Sequence, residues 1–188
     1  MKTPVVLHIE CGIHFLTTML DRFGADGWNG WQYAVLERLP MSWSEGADEP
    51  PARLWFEAGS ADFTGMRLDG ADFGLVNCEA ARFDRASAVG TMFGTCPRAS
   101  FRNADLREAV FIGDITAADF SGARLDGVSF VDATYNPDDP PVGLPIELLR
   151  DCRAEPIEDE PAGWPPAGIG LVKHTVNIKA ALAASATG

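Results

Sequence analysis

From residue 61 to residue 137 a large apolar side chain returns every five positions: ADFTG, MRLDG, ADFGL, VNCEA, ARFDR, ASAVG and onward, each unit a small residue, a polar one, then a large apolar one. A period of five fits neither the 3.6 of an amphipathic helix nor the 2.0 of a half-buried strand. It marks a repeat whose units bury nothing alone and form a core only when stacked. The stretch holds eight of the eleven Phe and thirteen Ala but no Trp, His or Lys, so its interior must be built from Phe against Ala.

This pattern resembles the pentapeptide-repeat family. The resemblance implies an all-β solenoid, a right-handed quadrilateral β-helix with four pentapeptides per coil, in which the central apolar residue and the small residue two before it point inward. On that geometry residues about twenty apart stack. Phe63, Phe83, Phe101 and Phe120 then form one column, and Phe73, Phe93, Phe111 and Phe130 the opposite one. Leu68, Ala88, Leu106 and Leu125 line the second side, and Cys78, Cys96, Ile115 and Tyr135 the fourth. The small positions agree: Ala61, Ala81, Ala99 and Ala118 on the first side, Met66, Ala86, Ala104 and Ala123 on the second. Two steps are short, Phe93 to Cys96 and Phe111 to Ile115, and both fall at one corner. A three-residue insertion after Phe93 would break the columns, so four complete coils are expected, about 19 Å tall at the ~4.8 Å strand spacing. Asp69-Gly70 and Asp126-Gly127 sit at corners, where glycine tolerates the turn. Cys78 and Cys96 read as stacked core residues rather than a redox pair.

The flanks are of different texture. Residues 1–60 are expected to form a small, mainly helical N-terminal cap: a strand over 5–9, a helix over 12–23 with Phe15, Met19 and Phe23 on one face, a loop over 24–30, and a helix over 31–39 stopped by Pro40. Trp28, Trp31, Trp43 and Trp55 supply apolar bulk there. Residues 138–152 read as a C-terminal capping turn, 153–168 as an acidic, proline-rich linker, and 169–188 as an extended tail mixing alternation at Val172, His174, Val176 and Ile178 with an alanine-rich stretch.

The residue before each central position points outward, so the faces can be read in turn. The first stacks Asp62, Arg82, Ser100 and Asp119, and the second Arg67, Ser87, Asp105 and Arg124: mixed charges, as on solvated ladders with weak ion pairs. The fourth, with Asn77, Thr95, Asp114 and Thr134, is polar. The third differs. Asp72, Met92, Val110 and Ser129 are joined there by Leu75, Ile112 and Val131, so that Leu75, Met92, Val110, Ile112 and Val131 form an apolar patch. Such a patch is covered either by the protein's own termini or by a partner or second copy.

The net charge is −12, from 27 acids and 15 bases. Divided, it is −4 in 1–60, −4 in 61–137 and −4 in 138–188, so no single region is a polyanion. The acidity argues against direct nucleic-acid binding, which needs a basic stripe. No apolar run reaches a membrane span and no secretory leader opens the chain, so a cytoplasmic location without membrane contact is expected. No catalytic motif occurs, and an enzyme is not expected. His8, Cys11 and His14 lack the H-E-x-x-H spacing and a second cluster, so neither metal nor cofactor is expected. The sequence thus favours a non-enzymatic interaction or scaffold module whose third face docks an unknown protein partner, with dimerisation open. Two alternatives stand beside it. The family includes acidic rods that imitate DNA and occupy DNA gyrase, a pattern from which Arg67, Arg82, Arg102, Arg107 and Arg124 depart. The other is a folded carrier or precursor whose 169–188 tail is recognised or modified by an enzyme.

Overall fold

The computed structural model describes residues 7–9, 13–38 and 54–155. Trp43, the strand expectation at residues 5 and 6, the stop at Pro40, and the segments 156–168 and 169–188 lie outside the described residues, as do the side chains of His8, Cys11 and Trp55. In chain order the elements are β1 (Leu7–Ile9), α1 (Ile13–Arg38), β2 (Leu54–Glu57), β3 (Asp72–Phe73), β4 (Val76–Asn77), β5 (Met92–Phe93), β6 (Val110–Phe111), β7 (Thr134–Tyr135), α2 (Ile146–Leu149) and β8 (Arg153–Ala154).

Every strand pairing is parallel. β1, β2 and β4 form one sheet, β3, β5 and β6 a second, and β7 with β8 a third. Single parallel bridges extend the pattern on the other sides: Asp62 to Arg82 to Ser100 to Asp119, and Arg67 to Ser87 to Asp105 to Arg124. The partners are 18 to 20 residues apart, the spacing expected of one coil.

Inside, the two Phe columns are as the period implies. Phe63, Phe83, Phe101 and Phe120 stack at 4.8, 4.9 and 5.0 Å between ring centroids with near-parallel planes. The Phe73 column does the same at 5.8, 4.9 and 4.8 Å. Between columns the rings meet edge to face, for example Phe93 on Phe101 at 5.1 Å and 80°. Offset stacking along a column and edge contact across it are the two arrangements a ring quadrupole favours, each worth about 0.5–1.5 kcal/mol beyond the area buried. Leu68, Ala88 and Leu106 on one side, and Cys78, Cys96 and Ile115 on the other, are fully buried between them.

The corners explain how so short a strand can turn. Three sets of turns, each recurring about every twenty residues, are closed by a bond from N–H to the carbonyl three residues back, as in Met66 to Phe63 and Ala71 to Leu68. Each places a residue of positive φ at the third position: Gly65, Arg85, Asn103 and Gly122 at one corner, Gly70, Gly90, Glu108 and Gly127 at the next, and Ser60, Ala80, Arg98 and Ala117 at another. That is the position where such a turn demands φ > 0. The fourth corner, where both short steps occur, is built differently. There Gly74, Gly94 and Gly113 stack backbone on backbone, and a β-carbon on Gly94 would stand 2.4 Å from the Gly74 carbonyl oxygen.

The flanks correct the sequence reading in three places. The expected loop over 24–30 is a break at one residue, Gly24 (φ 64°, ψ −165°), after which α1 resumes through Asp26-Gly27 and Gly30. The helix persists because Trp28 and Gln32, one turn apart, both reach the same carbonyl on β3, contacts that outweigh the ~1 kcal/mol cost of each helical glycine. The inward helical face is Leu16, Met19 and Leu20, not Phe15, Met19 and Phe23; Phe15 is partly buried against Trp31 and Phe23 is exposed. At the other end, the stretch read as a linker from residue 153 begins with β8; its Arg153 amide and that of the following Glu155 donate to the Ala133 and Tyr135 carbonyls. Between these, Val142 bridges to Asp119, and Leu144 and Leu148, the latter in α2, pack partly buried against the core.

Candidate partner-binding face

Because side chains alternate across a strand, β3, β5 and β6 turn Phe73, Phe93 and Phe111 inward and Asp72, Met92 and Val110 outward, in register, with Ser129 next in the ladder. Leu75, Met92, Ile112 and Val131 are 40, 38, 40 and 66 % exposed, and Val110 is half-buried between neighbouring rungs. Met92 Sδ and Ile112 Cδ1 lie over Gly74, 3.1 and 3.6 Å from where its β-carbon would stand, so the two side chains share one surface. Of the five residues expected on the third face, Met92, Val110 and Ile112 are thereby brought together, while Leu75 and Val131 are exposed. An exposed apolar cluster beside charged and polar ladders is a feature shared with contact surfaces.

The upper rim of the face is made by α1, and this the sequence reading missed. An inner rung has a coil on each side; β3 has one on only one side, where Met92 N–H donates to the Ala71 carbonyl. On the open side α1 supplies side chains instead. Asn29 Oδ1 accepts from the Asp72 amide at 2.8 Å, and Trp28 Nε1 and Gln32 Nε2 both donate to the Asp72 carbonyl at 2.8 and 2.7 Å. Asn29 Nδ2 also donates to the Gly70 carbonyl at 3.0 Å. Trp28 is wholly buried, stacked on Trp31 and packed on Phe56 and Phe73. The carboxylate of Asp72 accepts from the Gly74 amide, so the one acid in the strip is turned to the backbone. Only the run Trp28, Asn29, Gln32 at helical spacing could have hinted at this edge contact, and the apparent loop glycines concealed it.

The other faces are polar and internally compensated. Arg107 and Arg124 both reach Asp105, at 2.8 and 3.1 Å. Arg67 holds Asp69 at 3.0 Å, Arg82 stands 3.6 Å from Asp62, and Arg102 bonds Asp119. Hydrogen bonds from Arg107 keep the Asp105 carboxyl below its ordinary range, and Thr64 does the same for Asp62. At Asp69 burial acts in the opposite sense, but Ser87, the Val89 amide and Arg67 outweigh it.

Cys78 and Cys96 are buried thiols outside any disulfide, and burial pushes Cys96 well above the ordinary range, with Cys78 and Asp114 adding to the effect. Cys152 is pushed up to about 11 by burial beside Asp151. A reactive cysteine needs the thiolate, so these environments favour a packing role. His14 is exposed, and among the described residues no group of three His, Cys, Asp or Glu is placed to hold a metal ion. No helix among the described residues is long and apolar enough to cross a membrane.

Residues 97–139 match the family model described as pentapeptide repeats (9 copies). No curated protein matches the chain. Among solved structures, the chain is similar to alr5209, a pentapeptide repeat protein from Nostoc Pcc 7120, at 16 % identity, covering 82 % of this chain and 100 % of that one, with a TM-score of 0.34. A pentapeptide repeat protein from the thylakoid lumen of Arabidopsis thaliana is 31 % identical over 43 % of this chain and 50 % of its own, with a TM-score of 0.19. Rfr23, a pentapeptide repeat protein from the cyanobacterium Cyanothece 51142, is 13 % identical over 81 % of this chain and 86 % of its own, also with a TM-score of 0.19.

Proposed function

From the premise that this is a pentapeptide-repeat chain, with 97–139 as its matching segment, we propose that it is a non-enzymatic protein-interaction module that docks a cytoplasmic protein partner on its third face. The observation that carries this reading is the apolar set of Leu75, Met92, Ile112 and Val131, exposed, with Val110 half-buried in the same ladder as Met92, beside three polar faces. The body that presents it is taken as a right-handed quadrilateral β-helix of four coils, with α1 closing one end and α2 the other. Stacked rungs resist deformation, so the strip is held ready and little conformational entropy is lost on docking.

The ionic ladders favour this over imitation of DNA. A mimic needs unbroken columns of acid, whereas Asp62, Asp69, Asp105 and Asp119 each have an arginine beside them.

The test uses Ile112→Asp with Val131→Asp in the full chain, both positions exposed, so that the fold can be checked by circular dichroism and melting. The wild-type protein should retain a partner from its native host that the folded double variant loses. Equal recovery by the folded variant would remove the third face from the reading.

A further inference from the structure

Four pairs in the chain join an aspartate or asparagine to a following glycine: Asp26-Gly27, Asn29-Gly30, Asp69-Gly70 and Asp126-Gly127. Glycine has no β-carbon to shield its amide nitrogen, so at such pairs that nitrogen can attack the preceding side-chain carbonyl carbon and close a succinimide ring. Closure needs a nitrogen outside any hydrogen bond, a side chain able to swing, and a peptide able to turn toward it.

The fold denies these at three of the four pairs. Asn29 is held at both ends of its amide: Nδ2 donates to the Gly70 carbonyl at 3.0 Å and Oδ1 accepts from the Asp72 amide at 2.8 Å. Asn29 and Asp26 both lie in α1, where helical geometry fixes the peptide. Closure there would unwind the turn that Trp28 and Gln32 anchor on the Asp72 carbonyl. At Asp69 the carboxylate accepts from Ser87 Oγ at 2.6 Å, the Val89 amide at 3.1 Å and Arg67 Nε at 3.0 Å. The Gly70 amide donates to the Val89 carbonyl at 2.9 Å, so nucleophile and electrophile are both engaged.

Asp126-Gly127 is the last rung of the same corner. Down that corner each amide uses a carbonyl of the next rung: Gly70 on Val89, Gly90 on Arg107, Glu108 on Asp126. Gly127 ends the series, and among the described residues its amide makes no hydrogen bond. Both residues are exposed. The Asp126 carboxylate lies in the field of Arg107, but that guanidinium is bonded to both oxygens of Asp105. The connecting peptide is held on its carbonyl by the Glu108 amide at 3.0 Å, and a 3.2 Å bond from Val128 to Leu125 closes the turn.

We propose that Asp126-Gly127 is a self-modification site, where the folded protein converts an aspartyl linkage into an isoaspartyl one. The Gly127 nitrogen, giving its proton to solvent, bonds to Asp126 Cγ; a carboxyl oxygen leaves as water and the succinimide closes. Water then adds to the ring. Addition at Cγ restores aspartate, whereas addition at the main-chain carbonyl carbon breaks its bond to the Gly127 nitrogen and leaves the chain running through Cβ and Cγ. Only water leaves and enters, and nothing is oxidised or reduced. The product carries an extra main-chain atom at the corner leading to Ser129, the last rung, bridged to Val110 on the third face.

The test ages the full chain, folded, at neutral pH and physiological temperature. Each site is read by peptide mass spectrometry and by methyl transfer from S-adenosylmethionine with an isoaspartyl-directed carboxyl methyltransferase. Isoaspartate should build up at residue 126 several-fold faster than at 26 or 69, and faster than Asn29 loses its amide. In urea the order should invert, with Asn29-Gly30, the intrinsically fastest pair, leading. Asp126→Glu, whose longer side chain closes such a ring far more slowly, should remove most methyl acceptance from the folded protein. A folded protein in which Asn29 or Asp69 reacts as fast as Asp126 overturns the proposal. So does one in which residue 126 stays aspartyl over the time in which the urea-treated chain converts there.

Discussion

Gly94 shows how much one position can decide in a stacked repeat. Its missing β-carbon is what lets the third-to-fourth corner close, since that atom would stand 2.4 Å from the Gly74 carbonyl oxygen, against backbone that cannot move aside. Gly94→Ala is therefore expected to cost about 3 kcal/mol, the upper end of the usual range for overpacked cores. Gly90→Ala, at φ 66° with nothing within 4 Å of the added carbon, should lose only the left-handed penalty of about 1–2 kcal/mol. Urea unfolding of the two variants checks the ordering, and equal losses would show that turn strain, not close packing, rules both corners. Within the core, Phe101 stacks on Phe83 and Phe120 and meets Phe93 and Phe111 edge-on. Phe101→Ala should cost about 3–5 kcal/mol by the same measurement. The Phe columns were legible in the sequence because a five-residue period is a local property. The glycine stack was visible only as two short steps, because the contact that requires it joins residues about twenty apart.

At the scale of the element, α1 supplies the hydrogen-bond partners on the outer side of β3. Its three side chains meet the Asp72 amide and carbonyl where an inner rung would use backbone. Removing a partner from a part-buried amide costs about 1–3 kcal/mol, so Asn29→Ala should destabilise by that amount. It should also speed hydrogen exchange at Asp72 relative to Val110, whose amide donates to Thr91 within the stack. Unchanged exchange at Asp72 would mean that α1 rests on the edge without sealing it. The sequence showed helical patterning here but placed a loop over the decisive residues. Glycine and Asp-Gly are honest local signals of a turn; a contact forty residues away overrode them, and its one local hint, the helical spacing of Trp28, Asn29 and Gln32, was hidden by those glycines. The linker boundary erred for a related reason: Arg153 and Ala154 lack strand character of their own and pair because β7 offers them an edge.

Over the whole molecule, charge is arranged as ladders that join one coil to the next. Asp105 takes Arg107 from its own turn and Arg124 from the following coil; Arg102 reaches Asp119 across the same gap. The affected carboxyls, Asp62, Asp69, Asp105 and Asp119, all titrate below their ordinary range. The sign follows. A carboxyl with a folded pKa below its unfolded one, near ~3.9, contributes stability that is fully present above the unfolded value and lost as pH falls through the folded value. Melting temperature should thus be flat from about pH 7 to 5 and decline below about 4. Exposed pairs contribute little each and are screened by salt, so the decline should shrink at high ionic strength. Asp105→Asn removes the carboxylate that two arginines share, and should both lower the melting temperature at neutral pH and flatten its acid limb. A variant as acid-sensitive as wild type would show that the ladders are ornament on a body held by its Phe columns alone. The mixed faces were readable from the sequence once the coil period was known, since the outward residue of each unit is fixed by the inward one. The pairing partner of each charge was not, because a long arginine can choose between its own turn and the next coil.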